Sequence, residues 1–290
     1  MYLVINLLIF VIIFFVYIHI KSFTKTSNDI DIYQLNNPSQ EIIEENSRFN
    51  QPLHIKNIEN DIFNMNYDWL YDNFKYYDIN YMNIKDEGLY KIINLNNANT
   101  LFNNDISNLY ISKNNDNFIK STFLNEYIKK TDSILRTNML VTSDYDIIIG
   151  SKNSYTKPKY SLIANNYIIP TSGSIEILLY PPKYNKFMHI NKDYFNMEFT
   201  SNIDVYNVSD KYKDDLYKCN FSKVIVNKGD ILLIPMYWMY TIKILEKNTL
   251  VYNLKYKSLI NYIVNVKHDF IHLLQKYNKK IEQKDNNTIA

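Results

Sequence analysis

The first apolar run of the chain is long enough to form a helix that crosses a lipid bilayer. Residues 2–20 contain only Asn6 and His19 as clearly polar side chains, and a helix of this length spans a hydrocarbon core of about 30 Å. A cleaved signal peptide would show a basic start, a shorter apolar core and small residues at the cut site, and a buried core helix would show a polar stripe. The run has none of these features. We therefore predict one transmembrane anchor over residues 1–21.

The residues that follow the apolar run set the expected orientation. Lys21 and Lys25 come directly after it, and no Lys or Arg precedes it. The positive-inside tendency then places the rest of the chain on the cytoplasmic side of the membrane. A polar, acidic stretch over residues 22–46 predicts a linker between the membrane and a folded domain.

Beyond residue 46 the pattern of apolar positions changes from mixed to strand-like. Residues 48–58 alternate around Pro52, which is typical of a strand start, whereas residues 69–74 and 117–135 have helical spacing. From residue 139, short apolar runs separated by turn residues predict many strands. We predict a helical and strand lobe over 47–140, a β-rich core over 141–260, and a C-terminal helix and tail over 261–290. Phe270, Ile271, Leu273 and Leu274 would pack that helix on the core or on a second subunit.

Three blocks within the β-rich core carry an ordered series of turn and strand signals. Residues 227–238 read NKGDILLIPMYW, in which a Gly-Asp turn precedes a buried strand that ends at Pro235. Residues 249–257 read TLVYNLKYK, a pattern typical of a closing strand. In the first block, residues 148–182, the signals are Gly150, Thr156, Pro158, Asn166, Ser172, Gly173, Pro181 and Pro182.

These blocks resemble the JmjC-type cupin family of Fe(II)- and 2-oxoglutarate-dependent hydroxylases. The resemblance implies a mainly β fold with flanking helices, built on a double-stranded β-helix, or jelly roll. It also implies an iron site of two His and one carboxylate. The His-x-Asp motif of the family falls on Tyr160 and Leu162, the distal His on Tyr240, and the Lys that binds 2-oxoglutarate on Ile175. We therefore expect a degenerate member that binds no metal and no cofactor.

Four polar or aromatic residues remain at positions of the family's inner pocket. Tyr160, Asn166, Tyr240 and Asn253 could line a metal-free cavity, or they could simply satisfy one another as buried structural residues. His268 and His272 are four residues apart and would share a helix face. Packing of the C-terminal helix accounts for them better than a metal site does.

Composition and charge limit the possible partners and the cellular compartment. The formal charge is +2 with dispersed basic residues, which argues against a nucleic-acid partner. The richness in Asn, Ile, Lys and Tyr is typical of AT-rich genomes, such as those of large DNA viruses, and weakens arguments from charge runs. Cys219 is the only cysteine, so an intramolecular disulfide is excluded and a reducing compartment is favoured.

The sequence leaves three functions open. The first is a membrane-anchored, non-catalytic binding or scaffold module that has a protein partner or forms a homodimer through the C-terminal helix. The second is an active JmjC-type hydroxylase with atypical ligands. The third is a membrane-anchored glycosyltransferase, for which Asp144 and Asp146 would form the Asp-x-Asp motif that holds a metal-nucleotide.

Overall fold

The computed structural model describes residues 2–86 and 89–288, with side chains described as far as residue 278. The helices are α1 (Tyr2–Thr24), α2 (Gln40–Ser47), α3 (Tyr67–Phe74), α4 (Leu95–Asn104), α5 (Asp116–Ser121), α6 (Leu124–Thr131), α7 (Asp210–Leu216) and α8 (Leu259–Thr288). The strands are β1 (Tyr33–Asn36), β2 (Leu53–Lys56), β3 (Asp78–Asn83), β4 (Lys91–Asn94), β5 (Tyr110–Ser112), β6 (Leu140–Gly150), β7 (Lys159–Tyr160), β8 (Asn165–Ser172), β9 (Ser174–Tyr180), β10 (Ile190–Asp193), β11 (Glu198–Ser201), β12 (Ser222–Asn227), β13 (Ile231–Ile234), β14 (Met239–Ile244) and β15 (Leu250–Ser258). Short 3-10 helices cover Asp61–Asn64, Ser133–Leu135 and Pro182–Phe187.

The strands form two sheets that enclose a common core. The larger sheet has nine strands in the order β1-β2-β13-β8-β15-β6-β5-β3-β4, and the smaller has six in the order β10-β11-β7-β14-β9-β12. In the larger sheet, β15 pairs antiparallel with both β6 and β8. The predicted mainly β fold with flanking helices is confirmed.

The two faces of the larger sheet bury different clusters because side chains alternate along each strand. On β15, Leu250, Tyr252 and Leu254 pack with residues of α3 to α6 in one cluster. Val251 faces the other way and packs with residues of β9, β12 and β14 in the second cluster. The helical lobe therefore covers one face of the larger sheet, and the smaller sheet covers the other.

The connection between β8 and β9 requires glycine. Gly173 has a φ of +68°, in the left-handed region, and a Cβ atom at this position would lie 2.1 Å from the Thr249 hydroxyl oxygen. The turn therefore needs both the positive φ and the missing side chain.

A buried aspartate joins the helical lobe to the larger sheet. The Asp132 carboxylate accepts hydrogen bonds from the Tyr145 hydroxyl of β6 at 2.8 Å and from the Tyr256 hydroxyl of β15 at 2.7 Å. It also accepts one from the Arg136 Nε at 2.8 Å. Asp132 is fully buried, so these bonds replace the water that its charge has lost.

The linker predicted over residues 22–46 is corrected by the structure. Part of this stretch forms β1, which pairs parallel with β2, and part forms α2, which Ser39 caps and which buries Ile43. Farther upstream, the Gln51 side chain donates to the Asp31 carbonyl at 2.6 Å. A single buried side chain in a polar helix leaves little apolar signal, which explains the difference.

The N-terminal helix has the length and composition of a membrane span. Its mean hydropathy reaches 2.9, and none of that window is buried against the rest of the chain. By length and composition the helix could therefore cross a membrane. The helix α1 also contacts α8.

Candidate functional site

A cavity of about 690 Å³ lies between the two sheets. Strands β6 and β15 of the larger sheet contribute to one wall, and β7, β11 and β14 of the smaller sheet contribute to the other. The same alternation that buries Val251 points Lys255 of β15 to this side of the sheet, and on β6 it points Asp144 and Asp146 there. Polar positions on these inward faces thus gather at the cavity.

Two of the three residues at the family's iron-ligand positions reach this cavity. Tyr160 and Tyr240 line it. The Tyr160 ring stacks on Phe199 with ring centroids 5.0 Å apart. Burial raises the pKa of Tyr160, with nearby Tyr194 and Tyr237 adding to the effect, so its hydroxyl stays protonated near neutral pH.

The third ligand position, Leu162, and the position of the 2-oxoglutarate lysine, Ile175, lie in apolar packing. Leu162 is 5% exposed and belongs to a cluster with Phe199 and Met239, and its backbone carbonyl accepts hydrogen bonds from the Asn261 and Asn265 side chains of α8, both at 2.9 Å. Ile175 is fully buried and pairs with Ile244 at the far end of β14 from Tyr240. Neither side chain offers a group that binds a metal or an anion.

Of the four residues predicted to line a pocket, two line the cavity and two are buried beside it. Asn166 and Asn253 are buried, with 0% and 1% exposure, while Tyr160 and Tyr240 line the cavity. The Asn166 amide donates to the Tyr240 hydroxyl at 3.3 Å. Among the residues that the structure describes, the side-chain amide of Asn253 has no hydrogen-bond partner.

The residues at the ligand positions do not fit Fe(II). Such a site needs imidazole and carboxylate donors arranged on one face of the metal, whereas the family resemblance places two phenol side chains and an aliphatic side chain at these positions. Across residues 2–86 and 89–278, no cluster of three or more His, Cys, Asp or Glu side chains could hold a metal ion. The two histidines of α8 have other contacts: His272 Nδ1 lies 2.8 Å from the Tyr194 carbonyl oxygen, and His268 stacks on the Tyr194 ring.

The family assignment comes from a comparison with protein-family models. The model described as a cupin-like domain matches residues 34–262, which is most of the chain. The chain belongs to the cupin-like domain family. A comparison with curated proteins finds no significant match. The match begins within β1, so the first strand of the larger sheet is part of the cupin-like domain.

The geometry of Asp146 argues against the glycosyltransferase alternative. In this cupin-like domain its carboxylate accepts the backbone N–H of Asn114 at 2.9 Å and that of Asn115 at 2.8 Å, together with that of Ile147 at 2.9 Å. These bonds hold the start of α5 against β6. Asp146 therefore positions α5, and both of its oxygens already accept backbone N–H groups.

Four lysines line the cavity, Lys113, Lys157, Lys159 and Lys255, and none of them was predicted from the sequence. Lys113 follows β5, Lys159 lies in β7 next to Tyr160, and Lys255 lies in β15. A signal was present for Lys255, because it follows Asn253 by two residues and so shares its face of the strand. Lys113 and Lys159 lie at or beyond the ends of very short strands, where alternation gives little guidance.

The cavity charges influence one another strongly. Burial and the nearby charge of Lys159 lower the pKa of Lys113 to about 8, although Glu198 opposes this shift. Burial would raise the pKa of Glu198, but Lys113, Lys159, the hydrogen bond from Asn114 and Lys255 together outweigh it and hold that pKa below its usual value. Burial acts against the charge of Lys255, but Asp144, Tyr240, Asp146 and Asp116 together outweigh it, so the pKa of Lys255 is raised.

Proposed function

We propose that this cupin-like domain is a membrane-anchored binding module that does not perform Fe(II)- and 2-oxoglutarate-dependent oxygenation. The observation that carries the proposal is the set of side chains at the iron-ligand positions, Tyr160, Leu162 and Tyr240. None of them is an imidazole or a carboxylate, and Leu162 has no donor atom at all. The position of the 2-oxoglutarate lysine is Ile175, which removes the charge that this anionic cosubstrate needs. The domain would face the cytoplasm, because Lys21 and Lys25 follow α1.

The remaining architecture supports binding. The cavity volume of about 690 Å³ lies within the range of ordinary small-molecule sites. Tyr160 and Tyr240 give it aromatic surface, and buried phenols of this kind combine apolar contact with a polar group. The fold thus keeps a cavity while its residues lack the chemistry for iron.

We expect the full-length protein in detergent to contain no stoichiometric iron after anaerobic reconstitution with Fe(II). It should also release no succinate from 2-oxoglutarate. Elemental analysis and a succinate assay measure the two quantities. Stoichiometric iron together with 2-oxoglutarate turnover would instead establish an active hydroxylase with atypical ligands.

A variant that restores the family's donor set provides the matched control. Tyr160→His, Leu162→Asp and Tyr240→His combined supply two imidazoles and one carboxylate at the same backbone positions. We expect this triple variant to bind Fe(II) more tightly than the unaltered protein by at least about tenfold, which corresponds to about 1.4 kcal/mol. Equal affinity in a folded triple variant would show that these positions do not converge on a metal.

The C-terminal helix supports a protein partner, and we propose that this partner is a second copy of the chain. The helix packs on the domain through polar residues: Asn261 and Asn265 are buried, and His272 contacts the Tyr194 carbonyl. Packing on the core or on a second subunit was predicted for Phe270, Ile271, Leu273 and Leu274; the core does not cover Phe270, Leu273 and Leu274, which are 48–62% exposed, and the second subunit stays a prediction. The outer face of α8 is therefore its apolar face.

The spacing of this outer face favours a helical partner. Six of its seven exposed large apolar residues, all except Leu274, follow one another in alternating steps of four and three, which is the spacing of a two-helix coiled-coil seam. They form what we call the outer stripe: Leu259, Ile263, Val266, Phe270, Leu273 and Tyr277. Two stripes from two copies would cover each other.

Charging the outer stripe is expected to abolish this dimer. We expect Phe270→Asp combined with Leu273→Asp to halve the protein mass that light scattering measures in detergent, because two carboxylates cannot enter an apolar seam. The control Gln275→Asp combined with Asn278→Asp places the same charges at exposed polar positions of α8 and should leave the dimer intact. An unaltered protein that is monomeric at high concentration would contradict the proposal.

A further inference from the structure

Three of the four cavity lysines approach the same space from separate parts of the chain: Lys113 directly follows β5, Lys159 lies in β7 and Lys255 lies in β15. Lys113 is 6% exposed and Lys159 is 9% exposed, which is unusual for lysine. The side chain of Lys255 is 24% exposed. All three line the cavity between the sheets. The fold therefore concentrates ammonium groups in a partly desolvated site.

The nearest carboxylate oxygens lie too far from these ammonium groups for close hydrogen bonds. Lys113 Nζ lies 3.8 Å from Glu198 Oε1, and Lys255 Nζ lies 3.8 Å from Asp144 Oδ2. Both distances exceed that of a charge-assisted hydrogen bond, about 2.7–2.9 Å. Within the described part of the chain, no carboxylate oxygen lies within 4.0 Å of Lys159 Nζ, which instead lies 5.9 Å from the centre of the Tyr240 ring.

The carboxylates of the cavity are largely engaged elsewhere. Asp146 accepts three backbone N–H groups, as described above, and Glu198 Oε1 accepts the Asn114 amide at 2.6 Å. The side chain of Asp144 is 59% exposed, and Asp116 is exposed as well, so both lie toward solvent. Within the described part of the chain, Lys113, Lys159 and Lys255 thus line the cavity without a carboxylate at hydrogen-bond distance.

We propose that this cavity binds a small organic anion with a carboxylate or phosphate group, held by Lys113, Lys159 and Lys255 in the absence of a metal. A buried ammonium group without a close partner has a high free energy, and an anion among the three would supply that partner. The aromatic rings of Tyr160 and Tyr240 would contact the apolar part of the ligand. This inference rests on the proposed metal-free function of the same cavity.

Isothermal titration calorimetry of the full-length protein in detergent tests the proposal, with EDTA in the buffer to remove metal ions. The probes are succinate and inorganic phosphate, and succinamide is the uncharged counterpart of succinate. We expect saturable binding of succinate, of phosphate or of both, and no binding of succinamide. Binding of one anion but not the other identifies the group that the site prefers. Binding of neither anion, or equal binding of succinamide, would overturn the proposal.

Single substitutions locate the bound anion. Lys113→Met and Lys159→Met each remove one positive charge and should weaken binding at least tenfold. Lys152→Met removes the same charge from an exposed position outside the cavity and should leave binding unchanged. Thermal unfolding without ligand confirms that each variant is folded. An equal loss in all three variants would indicate a nonspecific effect of net charge and would contradict the assignment.

The pH dependence gives a separate readout. Lys113 loses its proton near pH 8, so anion affinity should fall between pH 7 and pH 9. Lys113→Arg keeps its charge over this range and should flatten the profile. The groups that face Lys113 are Lys157, Lys159, Glu198, Asp146 and Tyr90. A flat profile for the unaltered protein would exclude Lys113 as an anion ligand.

Measurements in EDTA and with Fe(II), taken together, separate this proposal from the proposed function. If the anions bind in EDTA and no turnover occurs with Fe(II), both proposals stand. If no anion binds in EDTA and no turnover occurs with Fe(II), the anion proposal alone fails. If binding requires Fe(II) and 2-oxoglutarate is consumed, the metal-free function fails as well.

Discussion

Asp132→Ala is expected to destabilise the folded protein by about 3–5 kcal/mol. The substitution removes a carboxylate that is fully buried and accepts hydrogen bonds from Tyr145, Tyr256 and Arg136. The two tyrosine hydroxyls would remain in the core without this acceptor, and each unsatisfied group costs about 1–3 kcal/mol. Because the tyrosines belong to β6 and β15, the loss should loosen the contact between the helical lobe and the larger sheet.

Denaturant unfolding in detergent, followed by tyrosine and tryptophan fluorescence, measures this free energy. Asp72→Ala is the matched control, because Asp72 is an exposed aspartate of α3. The control should change the unfolding free energy by less than about 0.5 kcal/mol. A similarly small effect of Asp132→Ala would show that the three hydrogen bonds contribute little net stability.

Deleting residues 2–24 is expected to move the protein from the membrane fraction to the soluble fraction. The apolar window of the deleted helix has a mean hydropathy of 2.9 and is not buried, and the helix contacts the rest of the chain through its packing on α8 and a hydrogen bond from Asn50 to the Phe23 carbonyl. Removing it should therefore leave the cupin-like core folded while abolishing insertion. Extraction at alkaline pH followed by sedimentation measures the partition between the two fractions.

A version whose residues 2–20 are replaced by an unrelated apolar span of the same length is the control, and it should stay in the membrane fraction. Protease added to sealed vesicles then tests orientation, because a cytoplasmic domain is digested when the cytoplasmic face is outward. A full-length chain that loses its N-terminal residues and becomes soluble would show that the segment acts as a signal sequence.

The sequence predicts the strands of the β-rich core well because their signals are local. The turn at Gly229 and Asp230, the apolar run of β13 and the stop at Pro235 are neighbours in the chain, and the structure has them as predicted. Polar stretches were harder to interpret. In β1 and α2, tertiary pairing and the single buried side chain of Ile43 decide the structure, and neither appears in a hydropathy pattern.

The candidate site was predicted only in part, for a geometric reason. The positions of Tyr160 and Tyr240 could be assigned from neighbouring motifs, and both residues line the cavity. Lys113 could not be found in this way, because it lies outside the motifs and reaches the cavity only when β5 pairs with β6. Side chains that meet through long-range pairing carry no local pattern.

The hydrogen bonds from α8 to the Leu162 carbonyl connect this helix to the backbone of the cavity wall. Asn261 and Asn265 both donate to that single oxygen at 2.9 Å, and Tyr160 of the cavity wall lies two residues earlier in the chain. A tilt of the first turns of α8 would therefore displace the backbone that carries Tyr160. A dimer formed through α8 and an anion bound in the cavity would both restrain the short segment from Tyr160 to Leu162. Each binding event is therefore expected to change the affinity of the other.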